Sequence, residues 1–151
     1  MPELVRSAQR VVNAPAAVIF DLLAHPARHH EVDGSGTVTG EAFGPERLSM
    51  GDQFGVAMRR GPVRYRSSNT VVEFEEGRRI AWRTATERGG RLLVGGHVWR
   101  YELTDRGDGT TLVKESYDLT DARPRPLLAA GAASTQRDMV ATLDRMAKLF
   151  A

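Results

Sequence analysis

Two hydrophobic periods divide this chain. Leu4 to Val12 carries Val5, Val11 and Val12 and stops at Asn13-Ala14-Pro15, which predicts a first strand closed by a turn. Pro15 suits the first turn of a helix. "AAVIFDLLA" then places Val18 and Leu22, and Ile19 and Leu23, four residues apart, predicting a helix that halts at His25-Pro26 because proline disfavours a helical predecessor. A short second helix is expected from Ala27 to about Glu31. From Gly34 the period falls to two, over segments 35–43, 53–60, 63–75, 78–86, 96–105 and 110–120. Gly61-Pro62, Glu76-Gly77, Gly89-Gly90 and Gly107-Asp108-Gly109 separate them with residues suited to tight turns, so successive strands should pair as antiparallel hairpins. The prolines of "DARPRPLL" end the strand pattern. Leu127 to Phe150 lacks proline and sets Met139, Leu143, Met146 and Phe150 at i, i+4, i+7 and i+11, predicting one long amphipathic C-terminal helix.

Alternation sorts the strand side chains onto two faces. Ile80, Trp82 and Thr84 oppose Arg79 and Arg83, so Trp82 points inward. His97, Trp99, Tyr101 and Leu103 share a face against Arg100 and Glu102. Val113, Glu115, Tyr117 and Leu119 share one against Lys114, Ser116 and Asp118. Phe54, Val56 and Met58 form a further inward set. In 63–75, Val63 and Tyr65 point the odd positions inward at the start, whereas Val72 and Phe74 point the even positions inward at the end. A bulge near Ser67 to Asn69 reconciles the two. Without it, Arg64 and Arg66 would face inward beside Phe74 and suit an anionic ligand.

Length and charge narrow the classes. The chain has 151 residues, 41% apolar and 26% charged, which fits a single folded domain over 1–151. It has no cysteine, so disulfides, thiolate catalysis and cysteine-bound zinc are excluded. Glu3, Arg6 and Arg10 interrupt the apolar stretch a signal peptide needs, and no long apolar run follows, so a cytoplasmic protein without a membrane span is expected. The basic residues are nearly all arginine, yet the formal net charge is only +2, which does not point to nucleic acid. Arg59, Arg60, Arg64, Arg66, Arg78, Arg79 and Arg83 read as the solvated convex face of a sheet, neutralised by the interleaved Glu73, Glu75 and Glu76.

The order strand, two short helices, six-stranded meander and long last helix carries "NAPAAVIFDLLAHPARHHEVDGSGTV", "VVEFEEGRRIAWRT", "WRYEL" and "KESYD". It resembles the START-like helix-grip (SRPBCC) superfamily, and more narrowly its bacterial polyketide cyclase/dehydrase and lipid-transport branch. That resemblance implies an α+β fold in which a curved seven-stranded antiparallel sheet grips the last helix, with a pocket between them for hydrophobic or aromatic small molecules. Members include ligand carriers, aromatase/cyclases, ubiquinone-binding proteins and chaperone activators, so fold does not choose the function.

His25, His29 and His30, with Glu31 and Asp33, raise the question of a metal. Pro26 breaks the helix that would align them, and a downstream ligand pair is missing, so they read as the corner entering the second strand, with Asp33-Gly34-Ser35-Gly36 as its turn. Neither a metal nor a cofactor is expected. The expected ligand-binding set is Phe54, Met58, Tyr65, Phe74, Trp82, Trp99, Tyr101, Glu115, Tyr117, Met139 and Leu143, with Glu115 as polar anchor. Glu115 and His97 are the candidates for acid or base chemistry. The plainer alternatives are a structural hydrogen bond for Glu115 and an exposed strand end beside Gly95-Gly96 for His97. The expected partner is a hydrophobic small molecule bound by a monomer or homodimer. An aromatase/cyclase-type enzyme is one rival. An interaction module with a filled core is the other, and it predicts no cavity of about 300 Å³ or more.

Overall fold

A computed structural model describes residues 3–151; Met1 and Pro2, within the expected span 1–151, lie outside them. Strand β1 (Val5–Val12) is followed by helix α1 (Ala16–Leu23) and a 3-10 helix (Pro26–Glu31). Pro15 caps α1 in an extended conformation, and the helix stops one residue before His25-Pro26. Its buried stripe is Ile19, Phe20, Leu22 and Leu23, while Val18, expected inside, is exposed.

Strands β2 (Val38–Phe43), β3 (Gln53–Arg60), β4 (Val63–Glu75), β5 (Arg79–Arg88), β6 (Arg91–Asp105) and β7 (Thr111–Asp118) complete a seven-stranded antiparallel sheet, ordered β1-β7-β6-β5-β4-β3-β2. The meander follows the period-two pattern, and the arrangement is the helix-grip fold that the resemblance implies. The expected bulge in β4 exists but lies further along, between Val71 and Glu73. Odd positions therefore stay inward through Val71, and Arg64 and Arg66 face outward, Arg66 resting 4.3 Å over the Phe43 ring. Strand β6 begins earlier than expected because pairing continues through Gly95-Gly96: Gly96 bulges out of the β5 ladder with φ +90°, and the Asp121 backbone presses where a side chain would stand.

The last helical segment is split. Helix α2 (Arg125–Ala130) and helix α3 (Ala132–Leu149) break at Gly131, whose low helix propensity the apolar spacing had concealed. Met139, Leu143 and Met146 of α3 are fully buried. Removing these apolar surfaces from water, at roughly 25 cal/mol per Å², is what seats α3 in the sheet. Arg6 donates to Gln136 (2.9 Å) and Arg10 pairs with Asp144, fastening β1 to the same helix.

The segment "HPARHHEVDGSG" is the other fastening. Asp33 accepts from the Ser35 backbone N–H (3.1 Å), the Ser35 hydroxyl (2.7 Å) and the Val38 N–H (3.2 Å), closing a tight turn. Gly34 N–H donates to Thr142 Oγ1 (2.9 Å), and Arg145 donates to the carbonyls of Asp33 (2.8 Å) and Glu31 (3.3 Å). A Cβ at Gly34 would stand 2.6 Å from the Asp138 carbonyl oxygen and closer still to Thr142 N, so only glycine lets the turn lie on the helix backbone.

Candidate functional site

A cavity of about 260 Å³ lies between the concave face of the sheet, the 26–38 segment and α3. That is slightly below the size set above for separating a ligand site from a filled core, yet far larger than the voids of a close-packed interior. Parity on β5, β6 and β7 builds its wall: Trp82, Trp99, Tyr101 and Glu115 all line it, as the alternation of their strands requires. Phe54, Met58 and Tyr65 line it from β3 and β4, and Met139 from α3.

Three residues of the expected set do not line it. Phe74 lies beyond the bulge and packs edge-on against Phe20, with ring centroids 5.3 Å apart. Tyr117 stands behind Trp99, 4.6 Å between centroids, and belongs to a separate core cluster with Leu119, Ala122 and Met139. Leu143, one turn beyond Met139, is absorbed into the main core.

His97 is not the exposed strand end of the plainer reading. It is 5% exposed, lines the cavity, and meets Trp99 and Tyr117 edge-on at 6.4 and 5.7 Å. Burial pulls its pKa down to about 4, so the ring is neutral at pH 7, and its Nδ1 has no hydrogen-bond partner among the described residues.

Glu115 is 3% exposed and accepts a hydrogen bond from the Tyr101 hydroxyl at Oε2 (2.8 Å), while Oε1 has no partner among the described residues. Burial raises its pKa to about 8; the Asp33 charge adds to this and the Tyr101 bond works against it. The side chain is therefore a neutral carboxylic acid at pH 7, able to donate as well as accept. Tyr101 is in turn pushed well above its ordinary value, chiefly by burial.

His29 stacks on Trp82 (5.1 Å, 16° between planes) and touches Phe54 edge-on (5.9 Å). Its Nε2–H donates to the Leu23 carbonyl (2.8 Å), and burial lowers its pKa. His25 and His30 likewise bind the backbone carbonyls of Asp21 (2.6 Å) and Ala27 (2.9 Å). Each histidine of the corner thus holds the chain to itself, and no group of three metal-ligating side chains occurs among the described residues.

A polar row joins Thr84, already inward by its parity with Trp82, to Ser67 and Asn69 of β4. Asn69 donates to the Phe54 carbonyl (3.3 Å) and Ser67 Oγ (3.2 Å) and accepts from Thr84 Oγ1 (2.8 Å); all three line the cavity. The signal was their odd and even register with Tyr65 and Trp82.

The family described as polyketide cyclase / dehydrase and lipid transport matches residues 5–151. The chain belongs to that family. Among curated proteins, it is 34% identical to the uncharacterized protein Rv0088 of Mycobacterium tuberculosis (strain ATCC 25618 / H37Rv) over 107 residues. That stretch is 71% of this chain and 44% of Rv0088, so the match spans less than half of the relative. Protein Ms6760 from Mycobacterium smegmatis superposes with a TM-score of 0.72 at 15% identity, over 97% of this chain and 90% of that one. Protein NE0264 from Nitrosomonas europaea gives 0.74 at 16% identity, over 97% and 93%. DynU16, a protein in the dynemicin biosynthetic locus, gives 0.66 at 17%, over 97% of this chain and 47% of its own. These structures establish that this polyketide cyclase / dehydrase and lipid transport family member shares their fold.

Proposed function

We propose that the cavity holds a hydrophobic or aromatic small molecule, lipid-like or polyketide-like, with the whole chain acting as one domain around it. One observation carries this: an aromatic-walled space contains two buried polar groups, Glu115 and His97, each with an atom that has no partner among the described residues. A buried polar atom without a partner costs roughly 1–3 kcal/mol, and a guest bearing a carbonyl or hydroxyl would remove that cost. Both groups are neutral at pH 7, which favours an uncharged guest. An interaction module with a filled core has no use for such a space. Native mass spectrometry of protein purified from its own host, paired with displacement of a hydrophobic dye, tests this. A retained small molecule or displaceable dye is expected; no retained mass and no dye uptake would remove the proposal.

The neutral Glu115 carboxyl beside Tyr101 favours a second reading, a cyclase-type enzyme in which that acid donates a proton to an oxygen of the guest. Unchanged turnover of polyketide-like substrates by Glu115→Gln, with binding preserved, would count against it.

A further inference from the structure

One end of the sheet gathers arginines that, among the described residues, reach at most backbone carbonyls and no acid. In the meander, the β3–β4 hairpin, the β5–β6 hairpin and the exit from β7 emerge at the same end, and Arg66 opposite Glu87 sets the first two tips side by side. Gly95 and Arg123 exchange backbone hydrogen bonds of 3.0 and 2.7 Å, which lays the approach to α2 against the second tip. Gathered there are Arg59, Arg60 and Arg64, then Arg88 and Arg91, then Arg123 and Arg125.

Their register sets like against like: Arg59 opposes Arg64 across β3 and β4, and Arg88 opposes Arg91 across β5 and β6. Like charges directly opposite each other weaken a sheet. Among the described residues, none of these arginines joins an ion pair. Of the acids nearby, Asp121 is held by Arg83 and Glu87 opposes Arg66. At the other end the pattern reverses, with Arg47, Arg78 and Arg79 paired to Glu76, Glu75 and Glu102. Between the unpaired arginines stand Leu92, Leu93 and Leu127, exposed by 63%, 48% and 62%. The cavity reaches toward this end through Arg60, Tyr65 and Thr86.

We infer that this end docks on an anionic lipid bilayer, with Leu92, Leu93 and Leu127 entering the headgroup region while the arginines meet lipid phosphates. A nucleic acid would answer the cations but leave three leucines in water. A bilayer answers both, with negative charge at its surface and apolar chains beneath.

Cosedimentation with vesicles tests it. The full chain should partition onto vesicles of equimolar phosphatidylglycerol and phosphatidylcholine and not onto phosphatidylcholine alone. Arg88→Glu with Arg91→Glu should lower that partition at least about tenfold, since each arginine near an anionic surface is worth roughly a fivefold change. Leu92→Ser with Leu93→Ser should reduce the part that survives high salt. Arg78→Glu with Arg79→Glu, at the opposite end, should leave binding within about twofold. Circular dichroism confirms that each variant is folded. Equal binding to both vesicle types, equal loss from both arginine pairs, or binding to a single-stranded oligonucleotide with none to vesicles would overturn the inference.

Discussion

Glu115 and Glu73 are carboxylates of the same sheet on opposite faces, and their surroundings drive them apart. Glu115, on the concave side, has a tyrosine hydroxyl for company and no ion-pair partner among the described residues, so burial holds it protonated up to about pH 8. Glu73, on the convex side, takes a two-pronged bond from Arg100 (3.0 and 2.6 Å) with Arg79 nearby, and these guanidiniums hold its pKa below the usual carboxylate range. Asp118 sits 3.5 Å from the same Arg100. One face keeps a carboxylic acid neutral and the other keeps a carboxylate charged, because side chains one position apart along a strand point to opposite faces.

The largest effect is expected at the concave wall. Trp82→Ala should cost about 3–5 kcal/mol, because it removes a buried ring together with the surface on which His29 stacks. Urea denaturation would read this, and a loss below about 1 kcal/mol would mean that the wall is not packed as described.

Next comes the pH dependence of Glu115. The folded state keeps this proton up to about pH 8, whereas the unfolded chain releases it near 4.5, so stability should fall as pH rises through that window. His97 acts oppositely, removing stability as pH falls from 6.5 toward about 4. Above pH 6.5 only the Glu115 effect remains of the two, with a slope of up to about 1.4 kcal/mol per pH unit. Thermal melts of Glu115→Gln between pH 6.5 and 8 should lose that slope, and an unchanged slope would show that Glu115 is already ionised.

Glu73→Gln should cost less, about 1 kcal/mol or under, since solvent screens the partly exposed Arg100 pair. The loss should shrink in high salt. Because its folded pKa is lowered, Glu73 stabilises the protein above its ordinary pKa and ceases to do so as pH falls, opposite in sign to Glu115. Smallest of all is Arg78→Ala at the exposed β4–β5 turn, expected within about 0.5 kcal/mol of the parent by denaturant midpoint.

What could be read from residue order was whatever depends on short-range parity. Trp82, Trp99, Tyr101 and Glu115 were placed together because strands alternate and neighbouring strands align. Phe74 keeps the inward parity expected of it, opposite Ile80, but packs on Phe20 of α1 instead of lining the space; the shift of the bulge from Ser67–Asn69 to beyond Val71, for which no fixed residue signature exists, instead keeps Ser67, Asn69 and Val71 inward. Tyr117 and Leu143 have the inward parity expected of them, but a nearer side chain or a turn of helix decides what reaches the space. Thr84 has the inward parity of Trp82, but that Asn69 joins it at the wall and that His29 stacks on Trp82 depend on partners distant in sequence, which parity does not give. The interleaved acids do pair with Arg78 and Arg79 but, among the described residues, not with Arg59, Arg60 or Arg64. Glu73, Glu75 and Glu76 are near Arg59, Arg60 and Arg64 in sequence, yet the hairpins carry the two groups to opposite ends.

Gly34 has a further meaning in this light. The turn and the helix above it meet with only a hydrogen atom between them, so the smallest side chain in the protein fixes how far the roof stands from the floor. A single added methyl group at that point would act as a wedge, driving the turn and α3 apart and changing the height of the space between helix and sheet.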